Sequence, residues 1–323
     1  MPRSTLPNSA NNRRQFIAGS TGLLTAATLA AGTTTLTAQT ESAARQPRPK
    51  FRYCLNTSTI NGGEVPIRQQ LQIASAAGYD GVELWLRDIE KFVQEGGQLA
   101  DLAKEISDLG LGVDSAIAFG AWIVDDDAQR RAGLEQCKRD MDVIRTLGGK
   151  FIAAPPTGAT KEPKLNLEAA AERYRRLLEL GEQCDVTPQV ELWGFSHNLS
   201  TLAEVLYVAA AANHPSACVL LDVYHLYKGG NDFSNMGLVP ASKLHCLHMN
   251  DYPATPPRAE ISDKDRIYPG DGVAPIGKIL DALVAGGFAG TLSLELFNRD
   301  YWKLPPAQVA KTGIAKMKAV AAG

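Results

Sequence analysis

The sequence predicts a closed (β/α)8 barrel. From residue 51 onward, eight short runs typical of β-strands alternate with segments of helical length over about 270 residues. Glycine often follows these segments, as at Gly78, Gly110 and Gly148, which is typical of a helix C-terminus. An open doubly wound sheet is the alternative architecture. Such a sheet usually carries a glycine-rich nucleotide loop after its first strand, but CLNTSTINGGEVP has no GxGxxG pattern, which disfavours a dinucleotide enzyme.

The individual elements follow from periodicity. Residues 97–110 place Leu99, Leu102, Ile106 and Leu109 at helical spacing. Residues 167–184 are rich in Ala, Leu and Glu and therefore form a helix readily. The predicted strands are residues 51–57, 80–85, 111–119, 150–155, 187–193, 217–222, 243–250 and 290–297.

The N-terminal segment resembles a twin-arginine export signal. Arg13 and Arg14 precede Phe16, Ile17 and a weakly apolar stretch to about residue 31. That stretch is too short and too rich in Gly and Thr for a good membrane span; a disordered tail or a lipid-free anchor is the alternative. We expect a signal over residues 1–38, a linker over 39–50 and one catalytic barrel over 51–323. The export machinery is then a partner, and the location is periplasmic or otherwise exported.

Composition is that of an ordinary globular protein. The 323 residues are 45% hydrophobic and 21% charged, with a formal net charge of −2. No run of lysine or arginine suggests an electrostatic footprint for nucleic acid. The five cysteines are odd in number and form no CxxC pair, so they are interpreted as small buried apolar residues in a chain that folds before export.

Polar side chains end the last four predicted strands. In a barrel of this kind, chemistry takes place at the C-terminal ends of the strands. In the eighth strand Thr291, Ser293 and Glu295 alternate with leucines, so Glu295 is expected to face the barrel mouth. The corresponding residues of strands five to eight are Glu191, Asp222, His248 and Glu295.

Three carboxylates and an imidazole in one apolar-walled cavity would repel one another strongly without a cation. A divalent metal ion removes this repulsion. Oxygen-rich ligation with one histidine suits manganese, magnesium, cobalt or zinc, and the residue types do not choose among them. Each residue taken alone could instead be an ion-paired or hydrogen-bonded barrel residue, but four consecutive strand ends favour a shared metal site.

Six stretches resemble the xylose isomerase-like barrels, and within them the sugar phosphate isomerase/epimerase family: AAGYDGVELW, VELWG, LLDVYH, LHMND, YPGDG and LSLELF. The resemblance covers nearly all of residues 51–321. It implies that His225 and Arg266 bind substrate oxygens, with Arg258 as the rival of Arg266. It also implies that one divalent ion is bound by Glu191, Asp222, His248 and Glu295. Of these residues, Glu191 and Glu295 are then expected to carry the proton transfers as well.

Two further positions are candidates for substrate binding. Glu83, in GVELW, either hydrogen-bonds substrate or is a buried strand residue with a local partner. Trp193 lies near a predicted strand end, as do Trp85 and Phe297. These aromatic residues form an apolar wall facing a sugar, or they pack in the core.

The resemblance implies a divalent-metal-dependent isomerase or epimerase that acts on a sugar or keto-sugar by proton transfer through an enediolate. A metal-dependent lyase or dehydratase acting on a keto-sugar, keto-glycoside or inosose is the alternative, because the same groups can expel a β-leaving group. An abasic-site endonuclease is disfavoured, since no histidine precedes His197 and no basic face is present. A non-catalytic sugar-binding barrel has no need of two facing glutamates. The expected partner is a small carbohydrate, and a homo-oligomer is left open.

Overall fold

Parallel strands and helices alternate along the computed structural model, which describes residues 48–60, 64–161 and 163–323. The predicted signal over residues 1–38 and most of the predicted linker lie outside the described residues. Of the linker, Arg48 is described. It donates to Asp281 at 2.7 Å and to the carbonyl oxygens of Gly277 at 2.9 Å and Val320 at 2.6 Å. Within the described part of the chain, no helix is long and apolar enough to cross a membrane.

Eight strands form one sheet in the order β3-β2-β1-β8-β7-β6-β5-β4. Strand β1 pairs in parallel with both β2 and β8, so the first and last strands of the chain are neighbours and the sheet curls into a nearly closed barrel. The predicted barrel is therefore confirmed. The strands are β1 Arg52–Asn56, β2 Gly81–Trp85, β3 Gly112–Ile117, β4 Phe151–Ala154, β5 Thr187–Glu191, β6 Val219–Asp222, β7 Leu244–Met249 and β8 Thr291–Leu294.

Nine α-helices accompany these strands in the described residues. Several begin at a polar side chain that accepts a backbone N–H, such as Asp126 before α4 and Asn166 before α5. Thr201 and Glu204 form a capping box at the start of α6. The helices are α1 Ile67–Ala77, α2 Leu86–Gln94, α3 Leu99–Asp108, α4 Asp127–Thr146, α5 Leu167–Cys184, α6 Leu202–Ala211, α7 Val223–Lys228, α8 Ile276–Ala285 and α9 Pro306–Ala322.

The alternation of strand side chains decides which groups reach the barrel interior. Leu292 and Leu294 of β8 are fully buried in the main apolar core, which includes the helices, while Ser293 between them bonds to Glu83 inside the barrel. Cys246 of β7 belongs to a separate small apolar cluster. All five cysteines are buried and free, as their odd number and spacing predicted.

Candidate active site

The cavity at the carboxyl ends of the strands has a volume of about 330 Å³. The buried polar groups of its lining come from four segments of the barrel. Glu191 ends β5, His225 lies on α7 directly after β6, Arg266 follows β7, and Glu295 follows β8. The predicted site residues are thus brought to the end of the barrel where the strands of this fold carry their chemistry.

His248 lies at the centre of three carboxylates. Its ring is fully buried, and its Nδ1 atom lies 3.1 Å from Oε2 of Glu295, 3.8 Å from Oδ2 of Asp222 and 3.9 Å from Oε1 of Glu191. Although the first distance is short, the geometry is not that of a hydrogen bond, and Nδ1 has no hydrogen-bond partner among the described residues. A buried ring nitrogen without a partner needs a proton, a water or a metal ion to satisfy it.

Glu83 fixes the opposite edge of the same ring. Its two carboxylate oxygens lie 3.1 Å and 3.0 Å from Nε2 of His248. One of them, Oε2, also accepts hydrogen bonds of 2.8 Å from the side chains of Asn56 and Ser293. Burial lowers the pKa of His248, but the charges of Glu295 and Glu83 raise it well above its usual value, so without a metal ion the ring carries a proton on both nitrogens. Because Glu83 holds the Nε2 proton, Nδ1 is the nitrogen that would give up its proton to a bound divalent ion.

Glu83 is therefore a positioning residue. It is fully buried behind the His248 ring and does not line the cavity in the described structure. A direct hydrogen bond from Glu83 to substrate does not follow from this position. Its position agrees with the other interpretation of Glu83, a buried strand residue with a partner inside the protein, here His248.

The donor set fits a divalent cation. Asp222, His248 and Glu295 each offer an atom within 4.8 Å of the others. Glu191 closes the group at 3.9 Å from the unpartnered Nδ1 atom. Three carboxylates with one neutral imidazole nitrogen are the ligands that manganese, magnesium, cobalt or zinc accept. The partnerless nitrogen facing these oxygens is the observation that supports metal binding here.

Arg266 bridges two members of this set. Its Nη1 donates to Oδ2 of Asp222 at 3.0 Å and to Oε2 of Glu295 at 2.8 Å, and its Nη2 donates to Asp263 at 2.6 Å. The side chain is 1% exposed. Arg258, its rival at the sequence level, is exposed and does not line the cavity as described.

His225 is held by the same arginine. Arg266 Nη2 lies 3.1 Å from Nε2 of His225, and because a guanidinium only donates, Nε2 is the acceptor and the ring proton is on Nδ1. Burial and then the charge of Arg266 lower the pKa of His225, so the ring is neutral. Its Nδ1 is buried without a hydrogen-bond partner among the described residues. His225 thus offers one free N–H at a cavity-lining position.

The two glutamates differ in proton affinity. Burial raises the pKa of Glu191 to about 8; His248 acts in the opposite direction, and the charge of Glu295 adds to the rise. Burial alone would also raise the pKa of Glu295, but the charges of His248 and Arg266 reverse this and place it well below its usual range. These directions describe the metal-free site, and a divalent ion bound between the two glutamates would lower the pKa of both carboxyl groups.

Two of the quoted sequence stretches prove to be joined. Asp251 of LHMND accepts the backbone N–H groups of Gly270 and Gly272 of YPGDG, both at 3.0 Å, and that of Ala274 at 2.9 Å. A Cβ atom at Gly272 would lie 2.2 Å from the carbonyl oxygen of Tyr252, so only glycine fits there. These contacts fix the segment that follows Arg266, so the two stretches position a site residue.

Sequence reasoning missed several residues of the site. Asn56 donates to Glu83 at 2.8 Å and to Glu295 at 3.0 Å, and Asn250 donates to Asp222 at 2.7 Å. Both amides lie at the ends of apolar strands, so the rule that selected Asp222 would also have found them. Among the aromatic residues, Trp85, Trp193 and Phe297 line the cavity, together with Phe119, Phe195 and Trp302, which were not selected.

Comparison with known proteins places this chain in a family. Residues 71–320 match the model of the xylose isomerase-like TIM barrel family. An inosose isomerase of Bacillus velezensis is 26% identical over 279 residues, which are 84% of this chain and 97% of that protein. A 3-dehydroshikimate dehydratase of Pseudomonas putida is 24% identical over 250 residues, covering 77% of this chain and 39% of the dehydratase.

A solved structure gives the same fold. The IolI protein, crystallised with a zinc atom, superposes with a TM-score of 0.78 at 22% identity and covers 84% of this chain and 98% of its own. A sequence identity of 22% is evidence for a shared fold only. The match to the family model covers more than three quarters of the chain. The chain therefore belongs to the xylose isomerase-like TIM barrel family, as its strand-end stretches implied.

Proposed function

We propose that this protein is a divalent-metal-dependent isomerase or epimerase that moves a proton on a sugar or keto-sugar through an enediolate. The observation that carries the proposal is the pair of buried glutamates, Glu191 and Glu295, on either side of the unpartnered Nδ1 of His248. The isomerase relative, matched over 97% of its length, supports the enzyme class. The predicted enzyme class, a sugar isomerase or epimerase, is confirmed by this relative. The substrate and the reaction mechanism are our proposal.

Glu191, Asp222, His248 and Glu295 would hold the ion. Its zinc-containing structural neighbour supports a divalent metal in this fold, while manganese, magnesium and cobalt remain equally suited to the donors. When bound, such an ion polarises the substrate carbonyl and stabilises the negative charge of the enediolate. Glu83 contributes by holding the His248 ring in the orientation that ligation requires.

The proton transfers are assigned to the glutamates by their surroundings. Glu295, kept ionised by His248 and Arg266, removes the proton next to the carbonyl. Glu191, the second buried glutamate that lines the cavity, returns a proton to the enediolate. His225 donates its free Nδ1–H to a substrate oxygen, and Arg266 keeps that ring neutral and oriented.

A dehydratase is the second candidate because the P. putida relative catalyses dehydration and matches 77% of this chain. The test is a metal-dependent screen of free ketoses, keto-glycosides and inososes with mass analysis of every product. A product with the mass of its substrate supports the isomerase, whereas loss of water supports the dehydratase. No turnover of any member by the metal-loaded protein would contradict both.

The metal site gives a prediction of stoichiometry. We expect one tightly held divalent ion per chain and loss of activity on chelation. His248→Ala should lose the ion, because a neutral donor with fixed geometry is removed. His245→Ala is the matched control: it lies on the same strand, three residues before His248, and its ring stacks on Phe151. Metal analysis that finds no ion, or equal metal content in both variants, would refute the proposed ligand set.

We also propose that the protein is exported through the twin-arginine pathway, with the export machinery as a partner. The support is Arg13 and Arg14 before the apolar stretch. Replacing both with lysine is expected to retain the precursor in the cytoplasm, and fractionation of expressing cells measures this. The matched control replaces Arg3 and Arg45, which lie outside the arginine pair. Unchanged export of the Arg13→Lys, Arg14→Lys variant would contradict the signal.

A further inference from the structure

Five aromatic side chains form a continuous surface along one side of the cavity. We call this the aromatic wall. Trp85 lies 5.5 Å from Phe119 and 5.8 Å from Phe297 between ring centroids; Phe119 lies 6.1 Å from Trp193, and Trp193 lies 5.2 Å from Phe195. The members come from the ends of strands β2, β3, β5 and β8. The wall is therefore built by four separate segments that converge on one cavity.

Exposure of the wall increases toward the solvent. Trp85 is 7% exposed and its indole donates to Asn56 at 2.8 Å, so core packing accounts for it. Phe119 and Phe195 are each 45% exposed. In the described residues, these are the two phenylalanines exposed to this extent, and both line the same cavity. Core packing does not account for the exposed part of these two side chains. Contiguous exposed apolar surface in a cavity is typical of a ligand site.

The buried polar groups of the cavity form its floor, while the charged residues Asp263, Lys264 and Arg299 line it at half-buried or exposed positions. Glu191, His225 and Glu295 can address the oxygens of one sugar ring there, and each is almost fully buried. The outer part of the cavity offers ring faces to a ligand beside the exposed charged side chains of Lys264 and Arg299. Its volume of about 330 Å³ falls in the range of about 300–1,000 Å³ for cavities that enclose drug-sized ligands, which are larger than one sugar ring.

We propose that the substrate is a glycoside whose reacting sugar carries a second ring, and that Phe119, Trp193 and Phe195 stack on the face of that outer ring. The wall reaches the floor directly, since Phe195 lies 5.6 Å and Trp193 lies 6.5 Å from the ring centroid of His225. The outer ring is then the neighbour of the ring that His225 binds. This inference rests on the proposed function for the reacting ring only. An aromatic substituent stacks through its flat π face and a second sugar through the C–H groups on one face of its ring, so either can pack on an aromatic side chain.

The test measures binding, so it does not depend on turnover. Affinities of the metal-loaded full chain are measured by calorimetry for methyl and phenyl pyranosides of glucose, galactose and mannose in both anomers, with maltose and cellobiose as the two-sugar arm. The second ring is expected to improve affinity about 2- to 10-fold for each aromatic side chain that it stacks on. The ratio of two-ring to one-ring affinity should fall about 2- to 10-fold in Phe195→Ala. In the Phe119→Ala, Phe195→Ala double variant this ratio should be close to one.

Two controls isolate the stacking. Phe195→Leu keeps the apolar bulk but removes the flat ring. Tyr207→Ala removes a similarly exposed aromatic residue, 42% exposed, which lies on α6 and does not line the cavity as described. Folding of each variant is checked by thermal unfolding. Equal affinity for one-ring and two-ring ligands, absence of binding by both, or a ratio unchanged in the double variant would overturn the proposal. A two-ring preference without isomerisation would contradict the proposed function and leave this inference standing.

Discussion

Turnover in D₂O is expected to place solvent deuterium on the reacting carbon of the product. The proposed reaction passes a proton through Glu295 and Glu191, and a proton on a carboxylate exchanges with water rapidly unless the site is sealed. Both glutamates line the same cavity as Phe119 and Phe195, and these two phenylalanines are exposed to solvent. Deuterium in the product is measured by NMR or mass spectrometry after partial conversion.

Removing either carboxylate should abolish this exchange. Glu191→Gln and Glu295→Gln keep the side-chain shape but can no longer hold a proton in transit, so each is expected to lower the rate about 10²- to 10⁴-fold. Any loss of the metal adds to that effect, so metal content is measured for each variant. Glu260→Gln, at an exposed position outside the cavity, is the matched control and should exchange normally.

The isotope result also separates the alternative reactions. A lyase or dehydratase releases a product of different mass. A hydride shift keeps the migrating hydrogen away from solvent. Product of unchanged mass without deuterium, formed at full rate by the metal-loaded enzyme, would exclude proton transfer and favour the hydride shift.

The barrel could be predicted because its local signals agree. Each strand is short and apolar, each following segment is long enough for a helix, and the alternation in β8 separates the leucine face from the polar face. The predicted ends were less accurate, since residues 290–297 were expected in the last strand and β8 ends at Leu294. Glu295 still reaches the site because its backbone N–H continues the bonding to Met249 at 3.2 Å.

The partners of the site residues could not be predicted in the same way. Glu83 and His248 are 165 positions apart, and only closure of the barrel brings β2 and β7 face to face. Strand parity predicts that both side chains point inward, but it does not predict which inward-facing groups touch. That is why Glu83 could not be distinguished from a substrate-binding residue until its contact with Nε2 was seen.

Arg266 and Arg258 illustrate the same limit. Both lie in the long segment after β7, and their spacing from His225 does not distinguish them. The structure does so through Asp251, which ties residues 270, 272 and 274 to the end of β7 and thereby directs the preceding segment inward. Burial of a guanidinium is tolerated only where acids are ready to pair with it, and Asp222 and Glu295 supply them.

Replacing Arg266 is expected to be strongly destabilising. Arg266→Met keeps a long side chain but leaves Asp222 and Glu295 buried next to each other without their guanidinium. Breaking a buried ion pair by removing one partner costs about 3–5 kcal/mol. The free energy of unfolding is measured in denaturant with a chelator present, so that bound metal does not mask the loss. Arg258→Met, which removes an exposed guanidinium nearby, is the control and should change it little.

The pH dependence of this loss provides a second, independent measurement. Burial would raise the pKa of Glu295, but His248 and Arg266 together hold it below its usual range. A carboxyl with a lowered folded-state pKa stabilises the protein above its unfolded pKa, about 4.3, and this stabilisation is lost as the pH falls further. In Arg266→Met the carboxyl takes its proton at higher pH, so the stability difference from the unchanged protein should shrink below about pH 4. A difference that stays constant down to the lowest pH at which the protein is folded would mean that Arg266 stabilises the chain by packing alone.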